Sequence, residues 1–284
     1  MNAVVVLTRG YSEKKGYSQL LKRNRKLERY YNKNKKSSYI IFHEGNISEN
    51  HQEYIQLQTI IPLNFINVSK SFRKEKIDFY PPTKRFGLGY RNMCNFWFCE
   101  FWTYLTDYNK ILRIDEDCFY NLDYNDVFDI LDDKVAVYGK WSGDFTFVTK
   151  GLQEFTKNFM SQHNKKPLNN SVGGPYTNVL GLNLKKLRQN VLLTQYIKSI
   201  KKSDNIYIYR WGDLPLWGEA LLYCFPINSY GQSNKLQYYH ASHNETVGQS
   251  NIKMQMVNIF NRKGSTRSRS KIAIISTIAI ISTI

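Results

Sequence analysis

The chain has 284 residues, 42% of them apolar, and a formal net charge of +17. This length and apolar share exclude a globally disordered chain and allow one large domain or two small ones. The positive excess points to anionic partners such as nucleotides, phosphates, nucleic acid or an anionic membrane face.

AVVVLTRG (Ala3 to Gly10) is a β-branched run closed by glycine and reads as a strand. From Ser18 to Lys33, Leu20, Leu21, Leu27, Tyr30 and Tyr31 recur at helical spacing. Glu13 to Lys36 holds ten Lys and Arg against two acids, most simply a solvated helix face. SSYIIFHEG (Ser37 to Gly45) is a second strand. Strand, basic amphipathic helix and strand make a βαβ unit, which implies a parallel sheet with helices on its faces. NFINVS (Asn64 to Ser69) reads as a third strand. FYPPTKRFGLG (Phe79 to Gly89) is a loop by its two prolines and two glycines.

YRNMCNFWFCEFW (Tyr90 to Trp102) is aromatic nearly all round, the mark of a buried helix. Arg91, Asn92 and Asn95 share one polar arc of it, expected to face a site. KILRID (Lys110 to Asp115) is a buried strand, and VAVYGKW (Val135 to Trp141) and NIYIYRW (Asn205 to Trp211) are further strand candidates. LKKLRQNVLLTQYIKSI (Leu184 to Ile200) reads as one amphipathic helix. DLPLWGEALLYC (Asp213 to Cys224) reads as a helix with Asp213 near its cap and Pro215 in its first turn.

The remaining features are negative or peripheral. Four cysteines without CxxC or zinc-finger spacing read as buried thiols, and one bridge would need an oxidising compartment. AVVVLTRG is too short for a signal sequence or anchor, so a soluble, cytosolic chain is expected unless the N-terminus is incomplete. The closing repeat IAIISTIAIISTI is shorter than the roughly 20 residues that span a bilayer and is an aggregation hazard. The expected boundaries are therefore a catalytic domain over 1–263 and a disordered low-complexity tail over 264–284.

The chemistry concentrates in RIDEDCFYNLDYNDVF (Arg113 to Phe128), where Asp115, Glu116 and Asp117 follow an apolar run. In an extended chain residues i and i+2 share a face, which would bring Asp115 and Asp117 together at the carboxyl end of a strand, where open α/β sheets place ligands. Two converging carboxylates call for a hard divalent cation, which can bridge to a diphosphate. An acidic surface turn is the competing account. His240 follows two tyrosines in QYYHASHN, whereas His243 has nothing in the sequence beside it to raise its standing. In YRWGDLP, Asp213 stands where a strand meets a helix, either as a helix cap or as a group that accepts a sugar hydroxyl's proton.

Together, YRNMCNFW, LRIDEDCFYNLDYNDVF, IYRWGDLPLWGEAL and QYYH resemble glycosyltransferase family 15, the yeast α-1,2-mannosyltransferases that transfer mannose from GDP-mannose with retention. The resemblance spans roughly Asn2 to Asn244, and RWGD followed by YYH is its most specific part. It implies a single GT-A α/β domain with a central mixed sheet. It also implies Mn²⁺ held by Asp115, Asp117 and His240, and GDP-mannose held by Arg9, Tyr90, Arg91, Asp115 and Arg210. Asp213 is then the catalytic carboxylate, and a glycan or glycoprotein hydroxyl is the acceptor.

Three departures from the family stand out. Glu116 replaces a proline in the acidic motif. The stretch TNVLGLNL (Thr177 to Leu184) has no acid where the family carries its proposed nucleophile: Asn178 can be matched, and the glutamate position falls on or near Leu180. Either Asp213 then serves, or transfer proceeds on the front face with the leaving phosphate as base, or the protein only binds nucleotide and glycan. Family members also carry a membrane anchor and work in the Golgi lumen. Acceptor specificity is expected in Gly143 to Pro175. Nucleic-acid binding is motivated by charge alone, and no motif supports it.

Overall fold

The computed structural model describes residues 1–32, 37–168 and 171–248. The low-complexity tail, and with it the boundary expected at residue 263, lies outside the described residues. In chain order the strands are β1 (Asn2–Thr8), β2 (Ser37–His43), β3 (Leu63–Asn67), β4 (Lys110–Ile114), β5 (Cys118–Tyr120) and β6 (Ala136–Tyr138). They continue with β7 (Trp141–Gly143), β8 (Gly173–Pro175), β9 (Val179–Asn183), β10 (Tyr230–Gln232), β11 (Tyr238–His240) and β12 (Glu245–Val247). The helices are α1 (Ser18–Glu28), α2 (Glu49–Leu57), α3 (Leu88–Asn95), α4 (Asn125–Asp133), α5 (Leu152–Gln162), α6 (Leu184–Arg188), α7 (Val191–Ser203), α8 (Asn205–Tyr209) and α9 (Asp213–Cys224).

A seven-stranded sheet in the order β10-β6-β9-β4-β1-β2-β3 forms the centre. β3, β2, β1 and β4 run parallel, while β9 is antiparallel to both β4 and β6, so the sheet is mixed. β1 alternates: Val4 packs on one face, with Leu112 and Ile114 of β4, and Ala3 and Val5 pack on the other among the aromatics Phe96, Trp97 and Phe98. Burying both faces is what a parallel sheet requires and what its near-continuous Val/Ile runs supply. A small antiparallel sheet β12-β11-β5 and the hairpin β7-β8 stand beside it.

The basic segment forms α1, which buries Leu20, Leu21 and Leu27 and exposes Lys22 and Arg25. Arg23 is the exception. It is buried, and its Nε donates to the Ile114 carbonyl at 2.8 Å, tying α1 to the end of β4.

Three expected elements differ. NIYIYRW is not a strand: residues 205–209 form α8, a single turn between Asp204 (φ 56°) and Arg210 (φ 68°), both left-handed. The β-prone tyrosines and isoleucines are overruled by burial of Ile206 and Tyr207 and by Arg91, whose Nη1 donates to the Tyr207 carbonyl at 2.7 Å. Residues 184–200 form two helices, not one. Asn183 caps α6 by accepting from the Lys186 amide, and Asn190 caps α7 by accepting from the Leu193 amide, both at 2.9 Å. The aromatic helix from Tyr90 is α3 followed by a π turn (Phe96–Glu100) and a 3₁₀ turn (Phe101–Tyr104).

Close backbone approach fixes α9 on β8. A Cβ on Gly218 would lie 1.7 Å from the Gly173 carbonyl oxygen, and one on Gly174 would lie 1.9 Å from that of Leu214. Only glycine fits at either place. This contact sets the first turn of α9, which carries Asp213, against the strand that leads to Tyr176 and Asn178.

Candidate active site

β1 pairs with β2 on one side and with β4 on the other, so the strand order reverses between β1 and β4. Open α/β sheets bind ligands in the crevice beyond the carboxyl ends of such strands. A cleft of about 580 Å³ opens there, and its walls carry Asp115, Asp117, Asp144, Asp213, His240 and His243.

The turn after β4 does not continue the strand. The Cys118 amide donates to the Asp115 carbonyl at 3.0 Å, and the tight turn sends the two aspartates to different partners. Asp117 Oδ2 lies 3.3 Å from His240 Nε2. Asp115 takes two bonds from Arg113, Nε to Oδ1 at 2.8 Å and Nη2 to Oδ2 at 3.0 Å. The two halves remain neighbours. Asn178 Nδ2 is 3.4 Å from both Asp115 Oδ2 and His240 Nε2, so those two atoms are at most 6.8 Å apart.

His240 is buried at the end of β11, and its Nδ1 lies 3.0 Å from the Tyr176 hydroxyl. His240 Nε2 faces Asp117, with Ser242 Oγ at 3.1 Å and His243 Nδ1 at 3.3 Å. Burial opposes ionisation of Asp117, but hydrogen bonds from His240 and Ser242 and the His240 charge outweigh it and hold the carboxyl at about 2. An imidazole nitrogen beside an anionic carboxylate, with a hydroxyl on the other ring nitrogen, is a donor set that suits a divalent cation. Asp117 and His240 thus fit a metal. Cys118 is also close, its Sγ 3.9 Å from Asp117 Oδ1. Burial pushes that thiol well above its usual range, so it stays protonated and packs in the core.

Arg113 is the hub of the other half. Buried between Leu112 and Ile114, it bonds Asp115 and also gives Nη1 to Asp213 Oδ2 at 2.5 Å, while its guanidinium lies 4.5 Å from the Trp97 ring centre. Burial alone would lower its pKa, but Asp115 and Asp213 together raise it. Asp115 is raised by burial, against the pull of Arg113. Asp213 does not cap α9: Gly212 holds the cap position, without a side-chain cap hydrogen bond. The Asp213 carboxylate belongs to Arg113 and the cleft.

Arg210, in its left-handed conformation, gives Nη1 to Asp144 Oδ2 at 2.5 Å and Nη2 to the Tyr90 hydroxyl at 2.6 Å. The stored strain is of order 1–3 kcal/mol and aims the side chain into the cleft beside Phe86 and Tyr90. Arg91 is placed elsewhere. Its guanidinium binds the carbonyls of Phe86, Thr83 and Tyr207, and Asn92 bonds the backbone of Arg73, so the polar arc of α3 clamps loops rather than lining the cleft. Arg9 is exposed past the end of β1 over the Tyr11 ring and also lies off the cleft wall. Glu116 accepts from Thr8 and from Tyr11, at 2.7 Å in the latter case, and so joins the ends of β1 and β4. Asn178 lines the cleft, while Leu180 is buried in the sheet.

No family model and no curated protein matches this sequence. Solved structures do match. The mannosyltransferase Ktr4p from S. cerevisiae superposes with a TM-score of 0.72 at 18% identity, over 88% of this chain and 75% of that one. The Mn/GDP form of core-mannan synthase A (CmsA/Ktr4) from Aspergillus fumigatus gives 0.71 at 17%, over 84% and 74%. Ktr4p in complex with GDP gives 0.70 at 17%, over 88% and 76%. The chain has the GT-A glycosyltransferase fold. The α/β domain with a central mixed sheet expected above is therefore the one found. All four cysteines are free, and no helix among the described residues is long and apolar enough to cross a membrane.

Proposed function

We propose that this chain is a divergent glycosyltransferase of the family 15 type, transferring mannose from GDP-mannose to a glycan hydroxyl with retention. The observation that carries the proposal is the Asp117–His240 pair, 3.3 Å apart at the carboxyl end of β4, with the Tyr176 hydroxyl 3.0 Å from the other ring nitrogen of His240. The fold is shared with mannosyltransferases crystallised with GDP and in a Mn/GDP form, which supports the choice of donor.

Asp117 and His240 would hold the cation, with Asp115 beside them. Bound there, a divalent cation neutralises the diphosphate as it leaves. Every carboxylate on the cleft wall already has a partner. Arg113 holds Asp115 and Asp213, His240 holds Asp117, and Arg210 holds Asp144. A carboxylate stabilised in this way is a poor nucleophile, and the matched strand offers Asn178 instead. These pairings favour front-face transfer, with Asp213 orienting the acceptor hydroxyl and the departing phosphate taking its proton. Phe145, also on the cleft wall, presents an exposed ring stacked on Phe147 next to Asp144. An apolar face beside a carboxylate suits a pyranose, whose faces are apolar and whose edges donate hydrogen bonds, and it falls within the segment expected to read the acceptor.

The test is incubation with Mn²⁺ and a panel of nucleotide sugars, with and without mannosides, measuring released nucleoside diphosphate. Release from GDP-mannose above the other donors supports the reading, and no release from any donor overturns it in favour of a binding protein.

A further inference from the structure

Three arginines line the cleft. Arg113 is committed to Asp115 and Asp213, and Arg210 to Asp144 and the Tyr90 hydroxyl. Arg85 is exposed and, among the described residues, makes no ion pair and no side-chain hydrogen bond. We propose that Arg85 reads an oxyanion on the acceptor, a phosphate or a carboxylate borne by the sugar, so that the acceptor is an anionic glycan. The inference rests on the acceptor wall described above and names the class of sugar that it takes.

The local fold holds Arg85 in place. It sits in a turn closed by the Phe86 amide, which donates to the Thr83 carbonyl at 3.0 Å. The buried Arg91 clamps the turn on both sides: its Nη2 donates to the Thr83 carbonyl at 2.8 Å and its Nε to the Phe86 carbonyl at 3.0 Å. The Arg85 guanidinium lies 4.9 Å from the ring centre of Phe86 and 5.2 Å from that of Phe147. Contacts with aromatic rings use the faces of a guanidinium and leave its in-plane N–H fork open, the geometry that pairs with a carboxylate or a phosphate. The rings also order the side chain before anything binds.

Contacts along the wall tie Arg85 to the acceptor side. Gly212, next to Asp213, is so close to Asp144 that a Cβ there would lie 3.3 Å from Asp144 Oδ2. Asp144 binds Arg210, whose guanidinium lies 4.4 Å from the Phe86 ring centre, and Phe86 in turn carries Arg85. Arg85 also touches Phe147, on which the exposed Phe145 ring is stacked. A pyranose seated on Phe145 with one hydroxyl at Asp213 therefore has Arg85 within the same wall for a second substituent. The charges of Asp144 and Asp213 are already answered by Arg210 and Arg113, so the Arg85 charge is the uncompensated one on this side. The donor diphosphate has its counter-charge elsewhere, in the cation at Asp117 and His240.

Calorimetric binding of three sugars to the full chain, saturated with Mn²⁺ and GDP, tests this without relying on turnover. The sugars are methyl α-mannoside, its 6-phosphate and the corresponding methyl mannuronoside. At least one anionic sugar should bind about fivefold or more tightly than the neutral one, the upper end for an exposed ion pair, and the tighter of the two names the oxyanion. Arg85→Gln should erase the preference, and Arg85→Lys, which keeps the charge but not the fork, should restore part of it. Arg85 is exposed, so both variants should fold, and the parent's preference is measured without them. Equal affinity for all three sugars in the parent, or a preference that persists in Arg85→Gln, overturns the inference and leaves the transferase reading standing. Weaker GDP binding in Arg85→Gln overturns it too, by assigning Arg85 to the donor. A preference for anionic sugar that needs Arg85, in a chain that releases no nucleoside diphosphate from any donor, upholds the inference and overturns the transferase reading.

Discussion

Replacing Arg113 with methionine should cost the fold about 3–5 kcal/mol, the range for removing one partner of a buried ion pair. Methionine keeps the length of the side chain and its packing on Trp97, so the loss isolates the charge. Arg113 has a side chain 5% exposed and holds Asp213, 7% exposed, and Asp115, 21% exposed. Without it, two carboxylates face each other with no cation between them. Against a typical total of about 5–15 kcal/mol, the variant should be marginal at neutral pH. The sign of its pH dependence is also determined. Asp115 is already raised by burial against the pull of Arg113; without that pull it rises further above its unfolded value of about 3.9, so the variant keeps its stability below that pH and loses it as pH rises. Urea unfolding at pH 7 and pH 4 measures this. The deficit should be largest at pH 7, and Asp213→Asn added to Arg113→Met should recover part of it. A deficit at pH 7 below about 1 kcal/mol, the range of an exposed pair, would refute the account of Arg113 as the hub.

Other expectations can be checked separately. Gly218→Ala should destabilise by about 1–3 kcal/mol through overpacking and shift α9 with Asp213, read by thermal unfolding and by loss of transfer. Asp213→Asn should lower transfer by about 10²-fold, the cost of misplacing a reacting group, while Mn²⁺-dependent GDP binding persists; unchanged turnover would remove Asp213 from the chemistry. Burial pushes the thiols of Cys94 and Cys224 up to about 12. Both should resist alkylation at pH 8 until unfolding. Because their folded values are raised, the stability they contribute is intact below the unfolded value of about 8.5 and is lost as pH rises toward 12.

Strands β1, β2 and β4 were legible because each has a short apolar run at its centre, Val4–Leu7, Tyr39–Phe42 and Ile111–Leu112, which a doubly covered sheet accepts. α8 was not legible, since Asn-Ile-Tyr-Ile-Tyr has a strand's alternation and its helical turn depends on Arg91, which is more than a hundred residues away. The break between α6 and α7 had a signal in Asn183 and Asn190, each three residues ahead of an amide it caps, but a continuous apolar stripe hid it. At the site, Asp117 and His240 were readable from motif and strand position. Arg113 was missed, although a charge in the middle of an apolar strand always needs buried partners. That His243 stands beside His240 depends on the turn after β11 and has no signal in the motif. The strand alternation expected to bring Asp115 and Asp117 together fails because a tight turn begins at Asp115.

The central claim is that Asp117 and His240 hold a cation that holds GDP. Calorimetry of GDP binding, in Mn²⁺ and again in chelator, tests it most directly. The account predicts binding that requires Mn²⁺ in the parent chain and collapses in both Asp117→Ala and His240→Ala. Metal-dependent GDP affinity unchanged in both variants would contradict it.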